Sequence, residues 1–287
     1  MPEPGLEVDR LLREATATLT AAGVPSPDHD AAALLAHVTG RKRATLALAG
    51  DVRAEEAAEF ADLVGRRADR VPLQHLVGST GFRYVDVLVG PGVFIPRPET
   101  ELLAGWAVDE ARKVLPERPP VVVDLCTGSG AIALALATEV PSAEVHAVEL
   151  DPGAFSWAER NLAHRGVDLR DGDMAEAFHD LDGTVDVVVC NPPYVPLTEY
   201  AGVDREAREH DPAMALFSGD DGLEAIRVLE RVAARLLRAG GQVGAEHADL
   251  QGETAPHVFA ASGRWADVRD HEDLAGRPRY LTARLAR

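Results

Sequence analysis

A run of four residues, Asn191-Pro192-Pro193-Tyr194, combines side-chain and backbone groups that could hold a planar –NH2 group. The two prolines lack N–H donors and stiffen the backbone, so the carbonyls of Asn191 and Pro192 can point at a ligand. Together with the Asn191 side-chain oxygen they could accept both hydrogens of an amide or amine, while the Tyr194 ring lies against its flat face. A nitrogen held in this way would be prepared for attack on an electrophilic methyl group. The structural alternative is a proline turn that closes a strand.

A glycine-containing loop, Cys126-Thr127-Gly128-Ser129-Gly130, lies upstream of that run. Gly128 and Gly130 permit a tight turn and a close approach of the backbone to a ligand, and the following helix would offer unpaired N–H groups. Glu149, at the end of the next predicted strand, is placed to accept hydrogen bonds from both hydroxyls of a ribose. Because Ala133 completes the pattern Gly-x-Gly-x-x-Ala, the spacing also fits a dinucleotide fingerprint. The loop predicts an adenosine-type cofactor without separating NAD from S-adenosylmethionine.

The elements that must position these residues alternate between strand and helix. The β-rich runs cover residues 121–125, 144–150, 185–190 and 242–245, and the helical patterns between them cover 131–138, 152–164 and 222–237. Such alternation predicts a parallel sheet with helices on both faces, and residues 279–285 are interpreted as a last, edge strand. Ligands bind at the carboxyl ends of parallel strands, so Asp124, Glu149 and Asn191 are expected to meet in one active-site cleft.

Residues 1–80 are predicted to form a separate, all-helical domain of about four helices. Ser26-Pro27-Asp28 has the pattern of a helix start, and Gly40 is a natural helix end. From residue 82 the pattern becomes strand-like, and residues 84–89 and 93–95, joined by a Gly-Pro-Gly turn, predict a β-hairpin. The domain boundary is therefore placed near residue 80, with the hairpin and the α/β region in residues 81–287.

The composition argues against several classes of partner. The chain of 287 residues has 29 Lys and Arg against 47 Asp and Glu, a net charge of −18. This charge disfavours non-specific binding to nucleic acid or to anionic membranes. Neither a membrane span nor a signal peptide is recognisable, and two cysteines, Cys126 and Cys190, are too few for a disulfide framework. We therefore expect a reduced, cytoplasmic protein.

The combination of residues 124–130 with Asn191-Pro192-Pro193-Tyr194 resembles class I S-adenosylmethionine-dependent methyltransferases that act on planar nitrogen. More narrowly, nearly the whole chain is similar to the peptide chain release factor N5-glutamine methyltransferases, the PrmC/HemK family. The motifs that carry the narrower resemblance are VPLQHLVG at 71–78, FIPRPETE at 94–101, EHDP at 209–212, Gly222-Leu223, Glu246-His247, Gln251-Gly252 and DLAGR at 273–277. IPRPETE beside NPPY is specific to this family, whereas NPPY alone is shared with adenine-N6 methyltransferases.

The resemblance implies a fold, a reaction and a substrate. Residues 81–287 would hold a Rossmann-like class I methyltransferase sheet, and residues 1–80 would recognise the substrate. The implied reaction transfers a methyl group from S-adenosyl-L-methionine to the side-chain amide nitrogen, N5, of the glutamine in the GGQ motif of peptide chain release factors. It implies no metal, no direct nucleic-acid partner and a monomeric enzyme.

The resemblance also implies roles for individual residues. Residues 126–130 would surround the methionine end of the cofactor, Glu149 its ribose, and Asp173 with Met174 its adenine. The implied cofactor-binding residues are Phe94, Asp124, Cys126, Thr127, Gly128, Ser129, Gly130, Glu149, Asp173, Met174 and Asn191. Asn191, Pro192, Pro193 and Tyr194 would bind the substrate glutamine, with Asn191, Pro192 and Tyr194 as the catalytic groups. Phe94 is expected either near the methyl donor or in the core.

Two positions depart from the family pattern. Cys126 stands where glycine is frequent, and Met174 stands where an aromatic residue often follows the acidic one. Methionine can still pack against an adenine ring, so the contact is expected to be weaker rather than lost.

Other functions are compatible with parts of the pattern. A glutamine methyltransferase of a ribosomal protein would use the same chemistry on another protein. An adenine-N6 methyltransferase would flip a base into the same pocket, but the net charge of −18 argues against it. A nicotinamide oxidoreductase or a binding module would leave NPPY without a role, because that motif does nothing in hydride transfer. No set of His, Cys and Asp residues has convincing metal-ligand spacing.

Overall fold

The computed structural model describes residues 7–48, 51–202 and 204–286. The described chain divides into two compact units. The first consists of the residues up to Ser79 together with Asp204–His210, and the second contains the remaining described residues. The first unit thus includes a short segment that the sequence analysis places in the region 81–287.

The first unit is helical. Its elements before residue 80 are α1 (Val8–Ala21), α2 (Pro27–Thr39), a 3-10 helix (Arg43–Leu48), α3 (Ala54–Ala68) and α4 (Leu73–Val77). Pro27 occupies the first position of α2, and Gly40 ends that helix with a φ of 63°, a left-handed conformation that glycine adopts without strain. The largest fully buried side chains of this unit are leucines, namely Leu19, Leu34 and Leu35.

A buried ion-pair cluster joins the segment 204–210 to the rest of the first unit. The guanidinium of Arg67, which is 4% exposed, donates to Asp30 Oδ2 at 2.8 Å and to Glu206 Oε1 at 2.9 Å. Arg70 donates to the same oxygen of Glu206 at 2.8 Å. Since removing one partner would leave a buried charge uncompensated, Glu206 is a strong anchor for this segment.

A two-stranded hairpin, β1 (Ser79–Phe82) and β2 (Val85–Leu88), follows the helices. A hairpin is predicted here, and its strand at residues 84–89 corresponds to β2, but the predicted turn and the second strand at 93–95 are wrong. The turn lies at Arg83 and Tyr84, where Arg83 has a φ of 50°. Residues 93–95 form no strand. Val93 and Ile95 are buried and Phe94 between them is half-buried, so irregular backbone here produces the alternating burial of a strand.

The second unit is built on a seven-stranded sheet. Its strands are β3 (Val121–Leu125), β4 (Glu144–Glu149), β5 (Asp168–Asp171), β6 (Val185–Cys190), β7 (Leu237–Glu246), β8 (Trp265–Glu272) and β9 (Pro278–Leu285). The order across the sheet is β5-β4-β3-β6-β7-β9-β8, with β3 to β7 parallel and β9 antiparallel to both of its neighbours. The predicted Rossmann-like sheet is confirmed. The prediction of β9 as an edge strand is wrong, because β9 lies between β7 and β8.

Helices cover both faces of this sheet. The helices after the hairpin are α5 (Thr100–Val114), α6 (Ala131–Glu139), α7 (Pro152–Leu162), α8 (Arg205–His210, in the first unit), α9 (Ala213–Leu216), α10 (Glu224–Leu236) and α11 (Thr254–Ala261). Side chains of α5, α6 and α7 share one core with Val122 and Val187, whereas those of α10 and α11 share a second core with Val123 and Val188. Adjacent valines thus enter opposite cores, as the two-residue period of a strand requires.

None of the helices within residues 7–48, 51–202 and 204–286 is long and apolar enough to cross a bilayer.

Candidate active site

A cavity of about 340 Å³ lies at the carboxyl ends of β3, β4 and β6, within the second unit. This volume is in the range of small-molecule sites. The predicted site residues that line it are Phe94, Cys126, Thr127, Gly128, Ser129, Glu149, Asp173, Met174, Asn191, Pro193 and Tyr194. Three predicted residues, Asp124, Gly130 and Pro192, do not line the cavity.

Asp124, the next-to-last residue of β3, acts from beneath the glycine loop. It is 0% exposed, and its Oδ2 accepts from the Thr127 hydroxyl at 2.6 Å and from the Ala133 N–H at 3.1 Å. Its Oδ1 is buried without a hydrogen-bond partner among the described residues. Burial raises the pKa of Asp124 to about 7, and the nearby charge of Glu149 acts in the same direction.

The glycine loop joins β3 to α6 through a series of left-handed residues. Cys126, Gly128 and Gly130 have φ values of 57°, 59° and 83°. A Cβ at Gly130 would lie 3.1 Å from the Leu162 side chain, so the close packing of α7 against the loop also favours glycine there. Cys126 adopts the left-handed conformation despite its side chain, and its Sγ lies 3.5 Å from Met174 Sδ.

Glu149 lies at the end of β4 and faces the same loop. Its Oε2 accepts from the Gly128 N–H at 2.7 Å, and its Oε1 accepts from the Asp151 N–H at 2.8 Å. Each carboxylate oxygen has a second lone pair, so both can still accept from a pair of ligand hydroxyls. Burial raises the pKa of Glu149, while the backbone donors partly offset that effect.

Asp173 and Met174, which are expected near the adenine, and the aromatic residue Phe94 also line the cavity. Asp173 is exposed and its Oδ1 accepts from the Ala175 N–H at 2.8 Å, while Met174 is half-buried. Phe94 is half-buried, with the guanidinium carbon of Arg97 4.9 Å from its ring centre. Arg97 in turn pairs with Asp211 at 2.7 Å. Phe94 lines the cavity, and its expected position near the methyl donor stays a prediction.

The NPPY residues begin where β6 ends. Asn191 and Tyr194 line the cavity, whereas Pro192 is buried. The backbone after the prolines is held in place, because the Tyr194 N–H donates to the Leu216 carbonyl at 3.2 Å and the Tyr194 carbonyl accepts from Gln251 Nε2 at 3.0 Å. The motif is therefore a rigid edge of the cavity rather than a loose turn.

Two polar residues with no predicted role contact this motif, and one of them, Thr100, also lines the cavity. Glu246, the last residue of β7, is 1% exposed and accepts from the Tyr194 hydroxyl at 3.0 Å and from the Thr100 hydroxyl at 2.7 Å. Asn191 Nδ2 lies 3.4 Å from Thr100 Oγ1. Both residues belong to the recognised motifs, at 94–101 and 246–247, and this membership was the only signal for them.

Two further residues support the site through the backbone. Asn161 on α7 bonds to both the N–H and the carbonyl of Leu88, at 2.8 and 2.9 Å, and donates to the Ser129 carbonyl at 2.8 Å. Gly222, in the turn before α10, leaves no room for a side chain, because a Cβ there would lie 2.3 Å from the Tyr194 carbonyl oxygen.

The acceptors of the cavity suit a ligand that contains a ribose. The free lone pairs of Glu149 can accept from the two hydroxyls of a ribose. Asp124 Oδ1 also lacks a partner, but it is buried next to the lining residues Cys126 and Thr127 and does not line the cavity itself. Among the described residues, no group of three or more His, Cys, Asp or Glu side chains could hold a metal ion.

Comparison with known proteins identifies the two parts of the chain. Residues 10–78 match the family described as the PrmC N-terminal domain, and residues 106–202 match the methyltransferase small domain. The release factor glutamine methyltransferase of Streptomyces coelicolor is 56% identical over 273 residues, covering 95% of this chain and 96% of that protein. Its counterpart in Mycolicibacterium smegmatis is 48% identical over 279 residues, covering 96% and 97%.

Among solved structures, a methyltransferase from Pyrococcus furiosus has a TM-score of 0.50 and 20% identity over 71% of this chain and 90% of that chain. This likeness, with the sheet order and the position of the cavity, defines the fold as that of a class I methyltransferase. The chain belongs to the release factor glutamine methyltransferase family. It is an enzyme, and its cofactor is S-adenosylmethionine.

Proposed function

We propose that this enzyme methylates the N5 amide nitrogen of the glutamine in the GGQ motif of peptide chain release factors. The observation that carries the proposal is that the NPPY motif and the glycine loop line one cavity. A planar nitrogen held at Asn191 and Tyr194 would thus share a cavity with a cofactor held at the loop and Glu149. The names of the relatives supply the substrate class.

The residues around the glycine loop would hold the cofactor. Asp124 and residues 126–130 would surround the methionine end, Glu149 would bind the ribose hydroxyls, and Asp173 with Met174 would flank the adenine. Asp124 contributes indirectly as well, because its Oδ2 fixes Thr127 and the first turn of α6. The bound cofactor supplies an electrophilic methyl group.

The NPPY residues prepare the nucleophile. The Asn191 side-chain oxygen would accept one hydrogen of the glutamine amide, and the Tyr194 ring would pack against its plane. The backbone carbonyl of Pro192, a buried residue next to the cavity-lining Asn191, would accept the other hydrogen. Holding both hydrogens raises the electron density on the nitrogen and aims its lone pair into the cavity. The catalytic contribution is positioning and polarisation, and no strong base is needed because the methylated nitrogen loses its proton readily once charged.

The wider setting of the enzyme is part of the proposal. The helical unit would recognise the release factor, the enzyme would act as a monomer in the cytoplasm, and it would not bind nucleic acid directly. The net charge of −18 supports the last point and disfavours an adenine-N6 methyltransferase. A ribosomal-protein glutamine would need the same pocket, so only the substrate assay separates that alternative.

The test is methylation of purified release factors with isotope-labelled S-adenosylmethionine, followed by peptide mass spectrometry. The expected label lies on the GGQ glutamine. Asn191→Ala is the matched control and should lose methylation while S-adenosylmethionine still raises its unfolding temperature. Label on a ribosomal protein or on DNA instead of a release factor would overturn the proposed substrate. Near-normal turnover of Asn191→Ala would overturn the polarised-amide mechanism.

A further inference from the structure

We propose that Glu246 is a positioning residue that determines which end of the Asn191 side-chain amide faces the acceptor nitrogen. It would do so through the Thr100 hydroxyl, and it would fix the Tyr194 ring through its second oxygen. The inference rests on the proposed function, because it assumes that Asn191 must accept a hydrogen bond from the substrate. Glu246 does not line the cavity, whereas Thr100 lines it beside Asn191.

The Thr100 branch depends on the direction of two hydrogen bonds. Burial raises the pKa of Glu246, whereas the hydrogen bonds from the Thr100 and Tyr194 hydroxyls lower it and so favour the carboxylate. A hydroxyl has one proton, and a carboxylate can only accept, so with Glu246 ionised the Thr100 proton points to Glu246 Oε2 at 2.7 Å. Thr100 Oγ1 then presents only lone pairs to its other neighbours. The end of the Asn191 amide that faces it, at 3.4 Å, must therefore be the –NH2 end.

This orientation leaves Asn191 Oδ1 as the end of the amide that can accept from a ligand in the cavity. The opposite orientation would place an –NH2 group against the –NH2 group of the substrate, and two donors cannot bond to each other. A rotation of the amide by 180° exchanges these two states without changing the shape of the site. The Glu246–Thr100 pair thus selects the productive state by hydrogen bonding rather than by shape.

The Tyr194 branch uses the other carboxylate oxygen. The Tyr194 hydroxyl donates to Glu246 Oε1 at 3.0 Å, which fixes the far end of a ring that lines the cavity. Burial raises the pKa of the Tyr194 phenol, and the neighbouring Glu246 charge raises it further, so the hydroxyl keeps its proton for this bond.

The burial of Glu246 indicates that the network has a purpose beyond stability. Glu246 is 1% exposed, and burying a carboxylate is unfavourable even where hydroxyl donors offset part of the desolvation cost. A glutamine would fill the same space without a charge, but it has only one acceptor oxygen. Here the Tyr194 and Thr100 hydroxyls lie at different terminal atoms, Oε1 and Oε2, so both can donate in this geometry only to a side chain that accepts at both atoms, as a carboxylate does.

The main test compares Thr100→Val with Thr100→Ser. Valine keeps the shape of threonine but has no hydroxyl, whereas serine restores the hydroxyl in a smaller side chain. We expect Thr100→Val to lower kcat about tenfold or more, with the KM for S-adenosylmethionine within about twofold of wild type. Thr100→Ser should recover most of the loss. If both variants fall equally, or if Thr100→Val keeps full kcat, the proposed role of the Thr100 hydroxyl is wrong.

Glu246→Gln tests the carboxylate itself. Its –NH2 end would donate to one of the two hydroxyls, and a Thr100 hydroxyl that accepts from it can turn its proton toward Asn191. We expect a fall in kcat of about tenfold or more. Adding Thr100→Val should cause little further loss, because both substitutions remove the same hydrogen bond, which orients the Asn191 amide. Fully additive losses would show that the two residues act separately.

A spectroscopic measurement separates this inference from the proposed function. The side-chain –NH2 of Asn191, labelled with 15N, should give shifted and slowly exchanging signals in the wild type and in Thr100→Ser. Both features should be lost in Thr100→Val. Unchanged signals would overturn the inference even in an active enzyme. Conversely, a wild type with these signals but without activity on release factors would contradict only the proposed function.

Discussion

At the scale of single residues, Asp124 couples the stability of the enzyme to pH. Its pKa rises from an ordinary value of 3.8 to about 7 because the carboxyl is buried. The folded chain therefore holds a proton that the unfolded chain has released between these two values. The contribution of Asp124 to the free energy of unfolding falls as pH rises through this window and is constant above about pH 7.

We expect this dependence to be smaller in Asp124→Asn. Asparagine keeps one acceptor for Thr127 and Ala133 but does not titrate, so the decline in unfolding free energy between about pH 4 and 7 should become shallower. Urea denaturation without cofactor measures it. Glu149 and Glu246, whose pKa values are also raised by burial, contribute a residual slope of the same sign. Identical slopes in the two proteins would exclude Asp124 as a source.

Cys126 illustrates how backbone conformation limits substitution in the glycine loop. Its φ of 57° costs a residue with a side chain about 1–2 kcal/mol. Cys126→Gly removes this strain, but it loses the sulfur contact with Met174 and gains freedom in the unfolded chain. We expect its unfolding free energy to lie within about 1 kcal/mol of wild type. Cys126→Val, a β-branched residue at positive φ, should be clearly less stable than both. Equal stability of the valine and glycine variants would contradict this account.

At the scale of elements, α7 holds the cofactor loop against the hairpin through Asn161. Its side chain is buried and bonds to Leu88 and Ser129, so Asn161→Ala removes a partner from the buried Ser129 carbonyl and from both backbone groups of Leu88. We expect a loss of about 1–3 kcal/mol in unfolding free energy and weaker S-adenosylmethionine binding by calorimetry. Glu159→Ala, at an exposed position of the same helix, is the control and should change neither quantity.

The turn before α10 supports the NPPY backbone by leaving space for it. In Gly222→Ala the new Cβ would overlap the Tyr194 carbonyl oxygen, so that oxygen must move and kcat should fall about tenfold or more. Gly263→Ala is a matched control, since Gly263 has a φ of 70°, close to the 73° of Gly222, but nothing lies within 4 Å of its Cβ position. An equal effect of both variants on kcat would show that backbone strain, and not the overlap, is responsible.

Sequence patterns predicted the central elements better than the peripheral ones. The buried strands β3, β4 and β6 have apolar runs that are hard to mistake, whereas β5, with the sequence DLRD, and β8, with WADVRDHE, are too polar to be recognised. The second strand of the predicted hairpin was misplaced for the opposite reason. Val93 and Ile95 are apolar and look like strand residues, but they are buried in irregular backbone and pair with no strand. Local patterns do not reveal which strand lies at an edge, which depends on pairing across the whole sheet.

The same division holds within the candidate site. Residues 126–130, Glu149 and residues 191–194 could be predicted because each follows a recognisable strand. Glu246 and Thr100 could not be given roles, because their contact joins positions 146 residues apart in the chain. Asn161 was missed as well, because it lies inside an ordinary helix and its partners, Leu88 and Ser129, are distant in the chain.

At the scale of the whole molecule, the two units suggest a division of labour that truncation can test. All residues that line the cavity belong to the second unit, so removal of residues 1–78 should leave S-adenosylmethionine binding within about threefold of wild type. Because Glu206 would lose its partners Arg67 and Arg70, the truncation is also made with Glu206→Gln. Calorimetry measures the binding in both truncated chains.

Methylation of an intact release factor should respond differently from cofactor binding. If the helical unit recognises the protein substrate, its loss removes binding energy that is remote from the reacting amide, and kcat/KM should fall about tenfold or more. A short peptide that contains the GGQ motif offers no such remote contact. The truncated and full-length enzymes should therefore methylate the peptide at similar rates. Retained activity on the intact release factor would assign another role to the helical unit, whereas equal losses on peptide and protein would show that it supports the cavity rather than recognition.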